Sequence, residues 1–260
     1  MRGGRQQNEV TRVNTNHLSQ PIGAPVPDWT PRPRPPRTRM QGRLCRLEPL
    51  DAAQHAAALF EAHSADREGR NWTYLPYGPF ASAAEYTRWV ERAVAQEDPQ
   101  FFAIVEQATG RPVGTGSYLR IEPAMGVIEV GHLAFSPALQ RTPAATDAMY
   151  LMMRRVFDEL GYRRYEWKCD SLNAPSVAAA KRLGFTFEGT FRQAVVIKGR
   201  NRDTSWLSII DSEWPAVKRA LDGWLAPANF DATGVQRRRL GELMAEARGG
   251  EAGERHRGRR

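Results

Sequence analysis

One carboxylate stands out for its surroundings. Glu129 interrupts an apolar run, VIEVG, that reads as a strand. A charge in such a run is costly unless it faces a cleft or a partner. A cleft-facing carboxylate is a candidate general base; an ion-paired one is the structural alternative. Strand alternation turns His132 to the opposite face, where a lone histidine reads as structural. A few residues on, Gln140-Arg141-Thr142-Pro143-Ala144-Ala145 leads into a helix. A helix N-terminus offers N–H groups and a positive dipole end, which suit a phosphate. Thr142 is a good N-cap, and Pro143 suits the first turn although it has no N–H to donate. Arg141 or the Thr142 hydroxyl can supply what the proline removes. A well-capped helix start without a ligand explains the same residues. Asn173 and Ser176 open a second helix, where Asn173 can cap and the Ser176 hydroxyl can solvate an anion.

These residues are positioned by a strand over 127–135, a loop over 136–141, a helix from about Pro143 to Leu160, a strand over 164–169 and a helix over 174–183 closed by Gly184. Upstream, Gly42–Leu50 reads as a strand. Asp51 with Gln54 and Ser82 with Glu85 read as capping boxes, the second opening an amphipathic helix with Tyr86, Trp89, Val90, Ala93 and Val94 on one face. Between them lies an aromatic loop, RNWTYLPYGPF. Residues 101–106 and 113–121 form two more strands. A hairpin with its turn at 198–201 and a helix containing Val217, Leu221 and Trp224 follow. Periodicity supports an α+β domain with a mixed sheet.

The chain has 260 residues, of which 41% are hydrophobic, enough for one core with tails. No apolar run is long enough to span a bilayer, the N-terminus lacks a signal-peptide core, and Cys45 and Cys169 are too few for a disulfide framework. A reduced, cytoplasmic protein without metal is expected. The formal charge of +8 lies in the termini, because residues 1–40 hold seven Arg and two acids and residues 236–260 hold eight Arg and four acids. The expected organisation is a Pro/Arg-rich extended arm over 1–41, a domain over 42–228 and a basic disordered tail over 229–260. The tails either keep the chain solvated or make weak, non-specific contact with RNA or ribosomes.

The spacing D-x-x-N-x-x-S-x-x-x-x-x-R-L-G-F, Asp170 to Phe185, together with EVGHLAFSP and the QRTPAAT loop, resembles the GNAT acetyltransferases. Within that family it is most similar to the branch that acetylates ribosomal-protein N-termini. The resemblance covers about Gly42 to Leu225. It implies the GNAT fold, with a mostly antiparallel mixed sheet, flanking helices and two splayed central strands. It implies acetyl-CoA as cofactor and direct attack by a primary amine, on a small molecule or a protein N-terminus, in a ternary complex. By position, Leu133, Ala134 and Phe135 would pair with the pantetheine arm. Gln140, Arg141, Thr142, Ala144 and Ala145 would hold the pyrophosphate, with Pro143 replacing the usual glycine. Asn173 and Ser176 would lie by the thioester, with Glu129 as base. The helix tyrosine that often serves as acid is replaced by Ala180, which leaves Ser176 for that role. Trp72, Tyr74 and Tyr77 would line the acceptor pocket, with Arg192 and Asp203 further candidates; for any single one of the aromatics, local core is the stronger alternative. A monomer or homodimer is expected. A non-catalytic acyl-CoA-binding module is the competing reading.

Overall fold

The structure is a computed structural model that describes residues 14–257, with side chains to residue 249. Residues 1–13 of the expected arm and the last three of the expected tail lie outside the described residues. The chain divides into two compact units between Pro31 and Arg32. The first contains a short hairpin, β1 (Asn14–Thr15) with β2 (Pro21–Ile22). Its turn is tied by Asn16, whose Oδ1 accepts from the N–H groups of Leu18 and Gln20.

The second unit begins ten residues earlier than the sequence suggests. The buried Arg155 guanidinium donates to the carbonyls of Thr38 and Arg39, and the Tyr162 hydroxyl donates to that of Pro33. The prolines leave this segment no helix or ladder of its own, so its carbonyls take side-chain donors instead. It leads into β3 (Met40–Gln41) and β4 (Cys45–Pro49). Helices α1 (Ala52–Ser64) and α2 (Ala83–Val94) follow. Their N-caps are as read: Asp51 accepts from Gln54 N–H at 2.8 Å and Ser82 from Glu85 N–H at 3.2 Å.

Next come β5 (Gln100–Glu106), β6 (Pro112–Glu122), β7 (Val127–Phe135), α3 (Pro143–Arg154), β8 (Arg164–Asp170), α4 (Ala174–Arg182), β9 (Thr186–Ile197), β10 (Arg200–Ile210) and α5 (Trp214–Leu225). A wider helical turn over Arg155–Glu159 extends α3. The eight strands β3 to β10 form one sheet in the order β3-β4-β5-β6-β7-β8-β10-β9. Only β7 and β8 are parallel neighbours, joined by the α3 crossover. One apolar cluster packs α3 and α5 on the sheet, and a second packs α1 and α2.

The expected disordered tail is corrected. Residues Leu240–Arg257 form a helix, α6, with Leu240 1% and Met244 6% exposed in the main core. Its anchorage is Gly184, the glycine that closes α4 at φ +99. A Cβ there would lie 3.1 Å from Met244 Cε, and the Arg248 guanidinium donates to the Gly184 carbonyl at 2.6 Å. The weak apolar pattern of α6 hid it: two buried side chains and two polar ties, the second from Arg219 to the Ala247 carbonyl at 3.2 Å, are enough to dock it. Leu240→Ala is therefore expected to lower the unfolding free energy by about 2–4 kcal/mol in urea denaturation. A change within about 0.5 kcal/mol would restore the disordered tail.

Candidate active site

The centre of the sheet is opened on purpose at one place. The ladder between β7 and β8 runs from Val127↔Arg164 to Val130↔Trp167 and stops. Beyond it, β7 continues to Phe135 and β8 to Asp170 without pairing to each other. On its other side β7 stays on β6, but with an extra residue: Gly131 faces Ser117 and Ala134 faces Thr115. This bulge is seated by His132 in the left-handed region at φ +51. It re-aims the strand. Alternation alone would put Glu129 and His132 on opposite faces, yet both line a cavity of about 640 Å³. The expectation that His132 faces away is thereby corrected.

Glu129 is 3% exposed. Arg120 donates to both of its oxygens at 2.7 Å, and Lys168 Nζ lies 2.9 Å away. Lys168 also pairs with Glu166 at 2.8 Å and sits 3.7 Å over the Trp206 ring. So Glu129 both faces a cleft and is ion-paired, and the two readings of the sequence coexist. Arg120 is 58% exposed at its side chain, on the solvent side of Glu129; Lys168, at 8%, is fixed between two carboxylates and an indole.

His132 is held near neutrality. Burial, then the nearby Arg120 and Arg202 charges, push its pKa down to about 4. Its ring stacks on Tyr77 at 5.6 Å, and its Nδ1 has no partner. Tyr77 thus backs His132 rather than lining the cavity. Trp72 is 5% exposed and boxed by His63, Tyr77 and Phe80, so it too is local core, the alternative to lining the pocket. Tyr74 does line the cavity, and its hydroxyl donates to the Leu172 carbonyl at 3.2 Å. The Trp72 carbonyl accepts from Lys198 at the β9–β10 turn, which fixes the aromatic loop over the cavity.

The loop after β7 is built as a cradle. Thr142 caps α3, accepting from Ala145 N–H at 3.2 Å. Pro143 has no N–H, so the uncommitted first-turn donor is that of Ala144. Arg141 sits at φ +61 beside it. Ser136 is fully buried with its hydroxyl unpartnered. Gln140 is used differently than expected: its amide donates to Asn71 Oδ1 at 2.7 Å and to the Phe135 carbonyl at 2.9 Å. Asn71 donates to the same carbonyl at 2.6 Å, so that carbonyl of Phe135 is already occupied. Leu133 lines the cavity, whereas Ala134 is buried toward α1 and α2.

On the far wall, Asn173 caps α4 through Ser176 N–H, and the Ser176 hydroxyl accepts from Trp167 Nε1 at 3.0 Å. Both residues line the cavity. Burial pushes the neighbouring Cys169 thiol up, and the Ser176 hydroxyl pulls it the other way by hydrogen bonding. Ser176 is thus already placed to solvate a sulfur. Ala180 is fully buried, which leaves no room for a tyrosine.

The Acetyltransferase (GNAT) domain matches residues 44–186, more than half of the chain. The chain belongs to the GNAT acetyltransferase family. It is similar to a GCN5-related N-acetyltransferase from Brucella melitensis at 50% identity and TM-score 0.83, over 85% of this chain and all of that one. A protein from Chromobacterium violaceum described as a probable GNAT acetyltransferase is 43% identical, with TM-score 0.70 over 75% of this chain and 98% of the other. A Salmonella typhimurium acetyltransferase that modifies the N-terminal serine of ribosomal protein L7/L12 shares the fold at 21% identity and TM-score 0.57, over 66% of this chain and 98% of that one. No curated protein matches the chain. The GNAT sheet expected from the sequence, with its opened central pair, is the one observed. No helix among the described residues is long and apolar enough to cross a membrane.

Sequence reasoning missed Arg120, Lys168, Arg202 and Trp206, all of which line the cavity. Lys168 was findable: RYEWKCD alternates charged and apolar residues strictly, which sets Lys168 on one face of its strand with Arg164, Glu166 and Asp170. Arg192 and Asp203 lie at a separate shallow depression, because alternation along β10 sends Arg202 and not Asp203 inward.

Two outcomes are expected. Lys168→Met leaves two buried carboxylates without their shared cation and should cost about 3–5 kcal/mol of stability in urea. Stability should also fall with acid between pH 6.5 and about 4. His63 and His132 ordinarily titrate near 6.5 but are pushed to about 4 by burial, so over that window the unfolded chain binds protons that the folded chain refuses. Glu188, held down to about 2 chiefly by Arg164, acts in a lower window, from 4.5 to 2. His63→Phe should flatten the slope of melting temperature above pH 4.5; an unchanged slope removes His63 from the account.

Proposed function

We propose that this protein transfers an acetyl group from acetyl-CoA to a primary amine, on a small molecule or a protein N-terminus. The observation that carries the reading is the opened β7–β8 ladder beside a cavity that holds Glu129 and Ser176. When bound, acetyl-CoA supplies an acyl carbon activated as a thioester. The backbone edge of β7 past Val130, with Leu133, is the surface for its extended arm. Arg141 and the uncommitted N–H group of Ala144 are suited to the pyrophosphate, by charge and by the dipole of α3, whose start Thr142 fixes by capping Ala145.

The amine nitrogen attacks the acyl carbon, the C–N bond forms as the C–S bond breaks, and one proton leaves the nitrogen. Arg120, Lys168 and Arg202 make the ammonium form unfavourable in the cavity, so the amine is presented neutral or nearly so. Glu129 takes the proton, directly or through water, as the exposed Arg120 swings aside. The Ser176 hydroxyl donates to the departing sulfur, which takes a proton from solvent. Asn173 holds α4, and with it Ser176, in place. The Salmonella relative acts on a protein N-terminus, and a cavity roofed by an aromatic loop and a hairpin turn admits a chain end equally well.

Thiol release from acetyl-CoA across peptides, polyamines and other amines tests the activity. Glu129→Gln is expected to lower turnover by roughly 100-fold or more with acetyl-CoA affinity unchanged; an unaltered rate removes Glu129 as base. Ala144→Glu sets a carboxylate against the phosphates and should weaken acetyl-CoA binding at least about 10-fold in calorimetry. Undiminished binding would place the pyrophosphate elsewhere.

A further inference from the structure

The wall of the cavity facing Glu129 is strand β10, and its inward side chains share one property. Arg202, Thr204 and Trp206 alternate along the strand and all line the cavity. Each has a buried side-chain atom with no hydrogen-bond partner: Arg202 Nε, Thr204 Oγ1 and Trp206 Nε1. Folded proteins rarely leave such atoms unsatisfied, since each buried unpaired group costs about 1–3 kcal/mol. Three on one strand face, all aimed at one cavity, form a row with an unmet demand. Thr204, at 5% exposure, is more than nine-tenths buried.

The demand has a sign. An arginine Nε–H and an indole N–H can only donate, and a threonine hydroxyl can donate. Such a row takes acceptor oxygens. Its electrostatics agree. Arg120, Lys168 and Arg202 line the cavity against Glu129 and Asp170 alone. Glu129 is already engaged by Arg120 and Lys168, which leaves Arg202 as the cation without a hydrogen bond at Nε. Burial lowers the Arg202 pKa, with Asp170 and Glu129 acting in the opposite sense. The guanidinium is therefore close enough to feel the reaction centre and short of a strong partner. Trp206 is braced for the same task, stacked on Phe191 at 4.5 Å and with Lys168 Nζ 3.7 Å from its ring centre.

Resting on the acetyltransferase reading above, we propose that the acceptor amine carries a carboxylate, bound by Arg202 and Thr204, with Trp206 donating to a further oxygen of the same molecule. A doubly charged phosphate fits less well, because Glu129 and Asp170 share the cavity. The carboxylate can belong to a small amino acid or to an acidic residue near a peptide N-terminus.

Glutarate, which has carboxylates but no amine, is the first probe, with glutaramide as its neutral match. Both are titrated by calorimetry into the full chain loaded with coenzyme A. Saturable glutarate binding is expected, at least about 10-fold tighter than glutaramide, with the difference lost in Arg202→Gln and reduced in Thr204→Val. Equal binding of the two probes by the wild-type protein overturns the proposal, and this comparison needs no variant to fold. So does an Arg202→Gln protein that keeps the preference. Thiol release is then compared for free glutamate against its diamide, and for Glu-Ala against Gln-Ala peptides. A preference for glutamate alone assigns the small amino acid, a preference for the acidic peptide assigns the protein N-terminus, and none in either pair counts against the proposal. Acetyl-CoA affinity is measured separately: its absence defeats the acetyltransferase reading, whereas tight acetyl-CoA binding with indifference to carboxylates defeats only this inference.

Discussion

The site depends on a ladder that stops early. Four paired positions hold β7 to β8, and then the strands part with their backbone groups facing a gap in the middle of a sheet. Unpaired backbone in a protein interior is expensive, so such a gap persists only where the surroundings impose it. Here two devices do so. The extra residue at His132 shifts β7 out of step, and Asn71 and Gln140 together seize the Phe135 carbonyl, holding the end of the strand away from β8. The edge of β7 past Val130 is thereby left unpaired with β8, as the proposed acetyl-CoA reading requires.

The charges around this gap serve structure and chemistry together. Arg120 of β6 holds Glu129, Lys168 joins Glu129 to Glu166, and Arg164 continues the chain of pairs from Glu166 to Glu188, so the acid facing the cavity belongs to a network drawn from four strands. A network of this kind fixes side-chain positions more than it adds stability. The cavity gains a carboxylate whose position is defined by β8 and whose outer face is covered by one exposed arginine.

Much of this was legible in the chain. The N-caps at Asp51, Ser82, Thr142 and Asn173 each announce a helix by a side chain that bonds to its own first turn, which is local physics. The order of strands and the glycine closing α4 were readable for the same reason. What failed was non-local. His132 was assigned to the wrong face because alternation assumes an unbroken strand, and a bulge is set by the partner strand. Trp72 and Tyr77 were placed in the pocket because composition shows aromatic residues but not what stands behind them. Gln140 fitted a phosphate motif and is spent on Asn71, far away in sequence. Helix α6 has too thin an apolar stripe to be seen without the surface it covers.

That last helix reaches further than its two buried side chains suggest. It grips the carbonyl of Gly184, where α4 ends, while Asn173 and Ser176 stand where α4 begins. Nine residues of α-helix form a stiff rod of about 13 Å. A rod clamped at its rear cannot slide, so the hydroxyl at its front keeps its aim. The carboxyl-terminal segment thereby fixes the far end of the helix that carries Ser176 at its near end.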